Sequence, residues 1–113
     1  MSANVFKFND TGTAAISFYA AVPPRQHYRL VSATLNLSAA PTTSENLTIR
    51  LYAAAGAIYG VRLYSLDLAA GSTDELVWTP DEELILEGND QIAMEWANTD
   101  TRNYGAQITF KAV

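Results

Sequence analysis

Along residues 84–112 the apolar side chains recur at every second position. Leu84 and Leu86 alternate with their neighbours, Gly88-Asn89-Asp90 turns the chain, and Ile92, Met94 and Trp96 alternate again. Beyond a polar segment at 98–105, Ala106, Ile108, Phe110 and Ala112 repeat the same period. A period of two is the mark of a strand with one face on a core, and short polar turns between such runs predict antiparallel strands joined as a meander. The pattern fixes an all-β architecture and supplies no chemistry.

The rest of the chain reads the same way. Residues 5–8 form a first strand that Asn9-Asp10-Thr11-Gly12 closes as a turn, and residues 13–22 form a second that Pro23-Pro24 ends. Residues 27–39 give the longest strand, with Val31, Ala33, Leu35 and Leu37 on one face and Ser32, Thr34, Asn36 and Ser38 on the other. Leu47, Ile49 and Leu51 alternate in the next, and residues 54–57 are read as a loop. Residues 59–68 are apolar on both faces, and Leu76 to Trp78 open the final meander. The expectation is one domain over residues 1–113, an antiparallel β-sandwich of eight or nine short strands, jelly-roll-like in its connections. Its core is expected to hold Val31, Leu35, Leu37, Leu47, Ile49, Leu51, Ile92, Met94, Trp96, Ile108 and Phe110, with Trp78 also inside.

Composition narrows the function classes. With 49% apolar and 17% charged residues the chain is globular rather than disordered. No apolar run approaches the roughly 20 residues of a membrane span. No cysteine is present, so disulfides, thiolate catalysis and cysteine metal sites are excluded. Met1 to Phe8 carry no basic segment followed by an apolar one, so synthesis in the cytoplasm is expected. Nine of the twelve acids lie between Asp74 and Asp100, and no Lys or Arg occurs between Arg62 and Arg102. This is a solvated acidic edge, or a patch suited to a basic partner surface. Nucleic acid is not an expected partner, because phosphate binding needs clustered Lys and Arg.

Candidate chemistry is sparse. His27 is the sole histidine and stands at a strand start beside Pro23-Pro24. Asp81, Glu82 and Glu83 are consecutive, so they point in different directions with no converging base. The acids of the C-terminal half are oxygen ligands, but lack the spacing of a calcium loop. The expectation is no enzyme, no catalytic residue, no cofactor and no metal. Asn36-Leu37-Ser38 and Asn46-Leu47-Thr48 match the glycosylation pattern by chance in a Ser/Thr-rich β chain. Tyr beside Arg is the composition enriched at protein contacts. Arg50, Tyr52, Arg62, Tyr64, Leu66 and Leu68 are therefore the expected interface, on one outward face of two strands paired as a hairpin. If the second sheet covers that face, the contact moves to Val61 and Leu63. Exposed tyrosines with loop Asn and Asp offer the alternative of a carbohydrate-binding module.

Three segments carry a resemblance: Tyr28-Arg29-Leu30-Val31-Ser32-Ala33-Thr34-Leu35, the loop Ser38-Ala39-Ala40-Pro41-Thr42-Thr43-Ser44, and Leu84-Ile85-Leu86-Glu87-Gly88-Asn89-Asp90-Gln91-Ile92. With them the chain resembles the small jelly-roll structural proteins of tailed bacteriophages. The resemblance implies a virion component made in the host cytoplasm, either a capsid decoration or cement protein or part of a tail or fibre. Its implied partners are the major capsid protein and copies of itself, with a trimer favoured.

Overall fold

The computed structural model describes residues 5–113. Met1 to Asn4, the start of the segment read for a leader, lie outside the described residues. Nine strands follow in order: β1 (Val5–Gly12), β2 (Ile16–Ala21), β3 (Tyr28–Leu37), β4 (Asn46–Tyr52), β5 (Val61–Asp67), β6 (Glu75–Trp78), β7 (Ile85–Leu86), β8 (Gln91–Trp96) and β9 (Tyr104–Ala112). A single 3-10 turn, Ala57–Tyr59, interrupts the link from β4 to β5.

The strands form two antiparallel sheets. One runs β1-β9-β3-β6, with β7 also paired to β3, and the other runs β2-β8-β4-β5. Most successive strands cross between the sheets, with the β4–β5 and β6–β7 links staying within one, a jelly-roll-like arrangement. The meander expected at the C-terminal end is therefore wrong. β7 pairs with β3, β8 lies between β2 and β4, and β9 lies between β1 and β3. Period two reports which face of a strand is buried, and both sheets bury one face against the other.

The inward faces fill the space between the sheets. Ile16, Phe18 and Ala20 alternate inward from β2, Leu47 and Ile49 from β4, Ile92, Met94 and Trp96 from β8, and Ala106, Ile108 and Phe110 from β9. Each fully buried large side chain contributes about 1.5–3 kcal/mol against exposure. Phe8 and Phe110 meet edge to face at 5.6 Å, the geometry aromatic quadrupoles favour.

Three local expectations need correction. Val31 is only half-buried, because the β3–β9 register slips between Leu30 and Ser32 and puts Leu30 in its place inside. Leu51 and Trp78 are likewise half-buried, packed against the core rather than within it. Asn9-Asp10-Thr11-Gly12 is strand, not turn. Its residues pair with Gln107, Ala106, Gly105 and Tyr104, the Gln107 amide donates to Asn9 at 2.8 Å, and the Tyr104 hydroxyl donates to Asp10 at 2.8 Å.

Polar side chains fix the loops at both ends. At one end Asp90, 8% exposed, accepts from the backbone N–H of Ala54 and of Glu87. At the other, Asp100 accepts from the N–H groups of Thr42 and Thr43 at 2.6 and 2.9 Å, and from both hydroxyls. Those bonds, the Thr43 hydroxyl foremost, hold the Asp100 carboxyl well below the usual carboxylate range. Glu45 reaches across the same end to Thr99.

Candidate functional site

The hairpin of β4 and β5 exists, but the six expected interface residues do not share a face. Leu66 pairs with Leu47 and Tyr64 with Ile49, both core positions, so Tyr64 and Leu66 turn inward. Leu68 is fully buried. A register shift at Leu63 then brings Arg62 opposite Arg50. Arg50, Tyr52 and Arg62 thus remain outside, while Tyr64, Leu66 and Leu68 pack against the core.

The outward face of the β2-β8-β4-β5 sheet carries a polar aromatic cluster. The Tyr19 hydroxyl donates to Glu95 at 3.0 Å and the Tyr52 hydroxyl at 3.2 Å, and the two rings lie 5.5 Å apart. The Arg50 guanidinium sits 5.8 Å from the Tyr52 ring centroid, within cation–π range. Desolvation, with Tyr19 and Glu95 as neighbours, pushes the Tyr52 phenol up to about 12. Ala93 lies on this face of β8, paired with Tyr19 on one side and Arg50 on the other, and is fully buried. The cluster is a lid over the sheet.

A cleft of about 530 Å³ opens where β5 and β6, edge strands of different sheets, face each other. Leu63 and Tyr64 line one side and Val77 and Trp78 the other, with residues 79–84 forming the rim. Tyr64 and Trp78 stack, centroids 5.7 Å apart and planes 24° from parallel. Asp81, Glu82 and Glu83 on the rim are exposed, and Glu83 approaches Arg29 at 3.9 Å. Beside the cleft, Ile58, Tyr59 and Val61 stand out as an apolar knob, 86%, 61% and 48% exposed. Sequence reasoning named Val61 and Leu63 only as the fallback contact and did not single out Ile58 or the Tyr64–Trp78 stack. The two-sided apolar character of residues 59–68 was the available signal. His27 is exposed. Among the described residues no group of three or more His, Asp or Glu side chains is placed to hold a metal ion.

No protein-family model and no curated protein sequence matches the chain. Among solved structures, it is similar to a chain in the acid-stable capsid structure of Helicobacter pylori bacteriophage KHP30. That similarity has a TM-score of 0.55 at 13% identity and covers 95% of this chain and 92% of that one. A chain of the infectious bursal disease virus Gx strain structure aligns over 96% of this chain and 31% of its own length, at 10% identity and a TM-score of 0.32. The first similarity shows a fold shared with a chain of a phage capsid structure. The second is too low to add to it.

Proposed function

We propose that the chain is a non-enzymatic structural protein of a phage particle, a capsid decoration or cement subunit that binds the major capsid protein and copies of itself. The observation that carries this reading is the shared fold over nearly the whole of both chains. An exposed apolar knob beside an open cleft supports it, since surfaces of this kind commonly mark protein contacts. The test is to purify particles from lysates of a host making this chain and measure its ratio to the shell protein. A fixed ratio in full and empty heads is expected. Finding the chain only in the tail fraction would move it to a tail or fibre, and its absence from particles would sink the reading.

A second reading, a carbohydrate-binding module, is favoured by one observation: the cleft is concave, and it carries two aromatic rings with carboxylates at its rim. Against it, the rings stack on each other, so each has one face already covered. Trp78 fluorescence followed during titration with oligosaccharides tests it, and an unmoved spectrum would dismiss it.

A further inference from the structure

We infer that the knob of Ile58, Tyr59 and Val61 seats in the Tyr64–Trp78 cleft of a second copy of this chain, with Arg62 meeting the carboxylates of the partner copy's rim. The inference rests on the reading of the chain as a self-associating component and names the surface it would use.

Shape is the first argument. The knob sits on the 3-10 turn at the start of β5 and protrudes, Ile58 being 86% exposed, so it does not fill its own molecule's cleft. Val61 and Leu63 are two residues apart on β5, so projection and recess are close together along this edge strand. A two-fold pair would make both contacts at once, and a cyclic ring one per interface.

Charge is the second argument. Residues 46–66 carry Arg50 and Arg62 and no acid. Residues 74–100 carry nine acids and no Lys or Arg, and three of those acids, Asp81, Glu82 and Glu83, form the cleft rim. Arg62 beside the knob and the exposed carboxylates of the cleft rim are thus of opposite sign, which favours association between unlike surfaces and sets its register. The apolar contact supplies most of the affinity, because rim charges exposed to water contribute little on their own.

Sedimentation velocity on the full chain from low to high micromolar concentration reads the contact. Reversible association is expected for the wild type, and Ile58→Asp should weaken it by roughly tenfold or more, as loss of a central apolar anchor does. Ile58 and Glu82 are exposed, so circular dichroism should be unchanged in these variants. Arg62→Glu and Glu82→Arg should each weaken association at low salt, and the two together should restore it. Restoration requires the opposite charges to meet. A wild type that stays monomeric throughout, or an Ile58→Asp chain that associates as strongly, overturns the inference. So does an oligosaccharide that shifts Trp78 fluorescence in an otherwise monomeric protein. Particle incorporation, measured separately, distinguishes this failure from failure of the proposed function. A monomer that still binds shells refutes only the knob-in-cleft contact, and an associating chain absent from particles refutes only the particle reading.

Discussion

Tyr64 and Trp78 belong to different sheets, and their rings stack across the side of the sandwich where β5 and β6 form the edges. Both are half-buried, so the stack closes the core on this side and floors the cleft at once. Such pairs contribute about 0.5–1.5 kcal/mol beyond the area they bury. A double-mutant cycle with Tyr64→Ala and Trp78→Ala, read by chemical denaturation, should return a coupling of that size. Strictly additive losses would mean that the rings share a cleft without supporting each other.

Gly88 is held against the backbone of the β2–β3 loop. A Cβ there would lie 2.6 Å from the Arg25 nitrogen and 2.9 Å from the Pro24 Cα, and neither atom can swing aside as a side-chain tip can. Arg25 itself has a φ of 66°, and Asn89, next in the chain, donates to the Val22 carbonyl at 2.9 Å. Gly88→Ala should therefore destabilise by about 1–3 kcal/mol, the usual cost of overpacking. Gly71→Ala is the control, since its nearest neighbour is the Thr73 hydroxyl at 3.3 Å. Equal denaturation midpoints for the two variants would contradict the close approach.

The sandwich was legible in the sequence because alternation reports burial directly, and Leu47, Ile49, Ile92, Met94, Trp96, Ile108 and Phe110 are all buried as that argument requires. Strand partners were not legible, since Leu86 and Ile92 alternate alike although β7 and β8 lie in different sheets. Parity also fails silently across a bulge. The slip at Val31 exchanges it for Leu30, and the slip at Leu63 separates Arg62 from Tyr64, which parity alone had placed together. The candidate site suffered most, because it lies where one of those slips meets the edge of the other sheet.

Asn98 holds the turn between β8 and β9. Its side chain is 2% exposed, and its amide nitrogen donates to the carbonyls of Thr13, Ala14 and Arg102 at 3.2, 2.9 and 3.0 Å. Its oxygen accepts from the Arg102 N–H at 2.9 Å, and its backbone takes a φ of 50°. Removing the amide leaves those carbonyls without their donor, at a cost on the order of 1–3 kcal/mol. Asn98→Ala adds about 1 kcal/mol or more for the left-handed backbone, a penalty that Asn98→Gly avoids. Asn98→Asp should be more damaging than Asn98→Gly, because a carboxylate oxygen would face three carbonyl oxygens. Denaturation midpoints should order wild type above Gly, and Gly above both Ala and Asp. A wild-type midpoint in the Asp variant would refute the assigned bonds.

Tyr52 and Tyr104 are set apart by the surroundings of their hydroxyls. Desolvation, then the bond to Asp10, pushes Tyr104 up to about 12, and desolvation with Tyr19 and Glu95 does the same for Tyr52. In the unfolded chain both would ionise near 10, the ordinary value for the phenol. A folded-state value above the unfolded one favours the neutral phenol in the native protein. The stability it contributes is complete below pH 10 and is lost as pH rises through the folded-state value. Phenolate absorbance should therefore show two groups ionising late, and Tyr104→Phe and Tyr52→Phe should each remove one of them. Unfolding midpoints should fall between pH 10 and 12 in the wild type and fall less steeply in the double variant. A single titration step for all tyrosines near pH 10, with the protein still folded, would show that Asp10 and Glu95 do not hold these hydroxyls in solution.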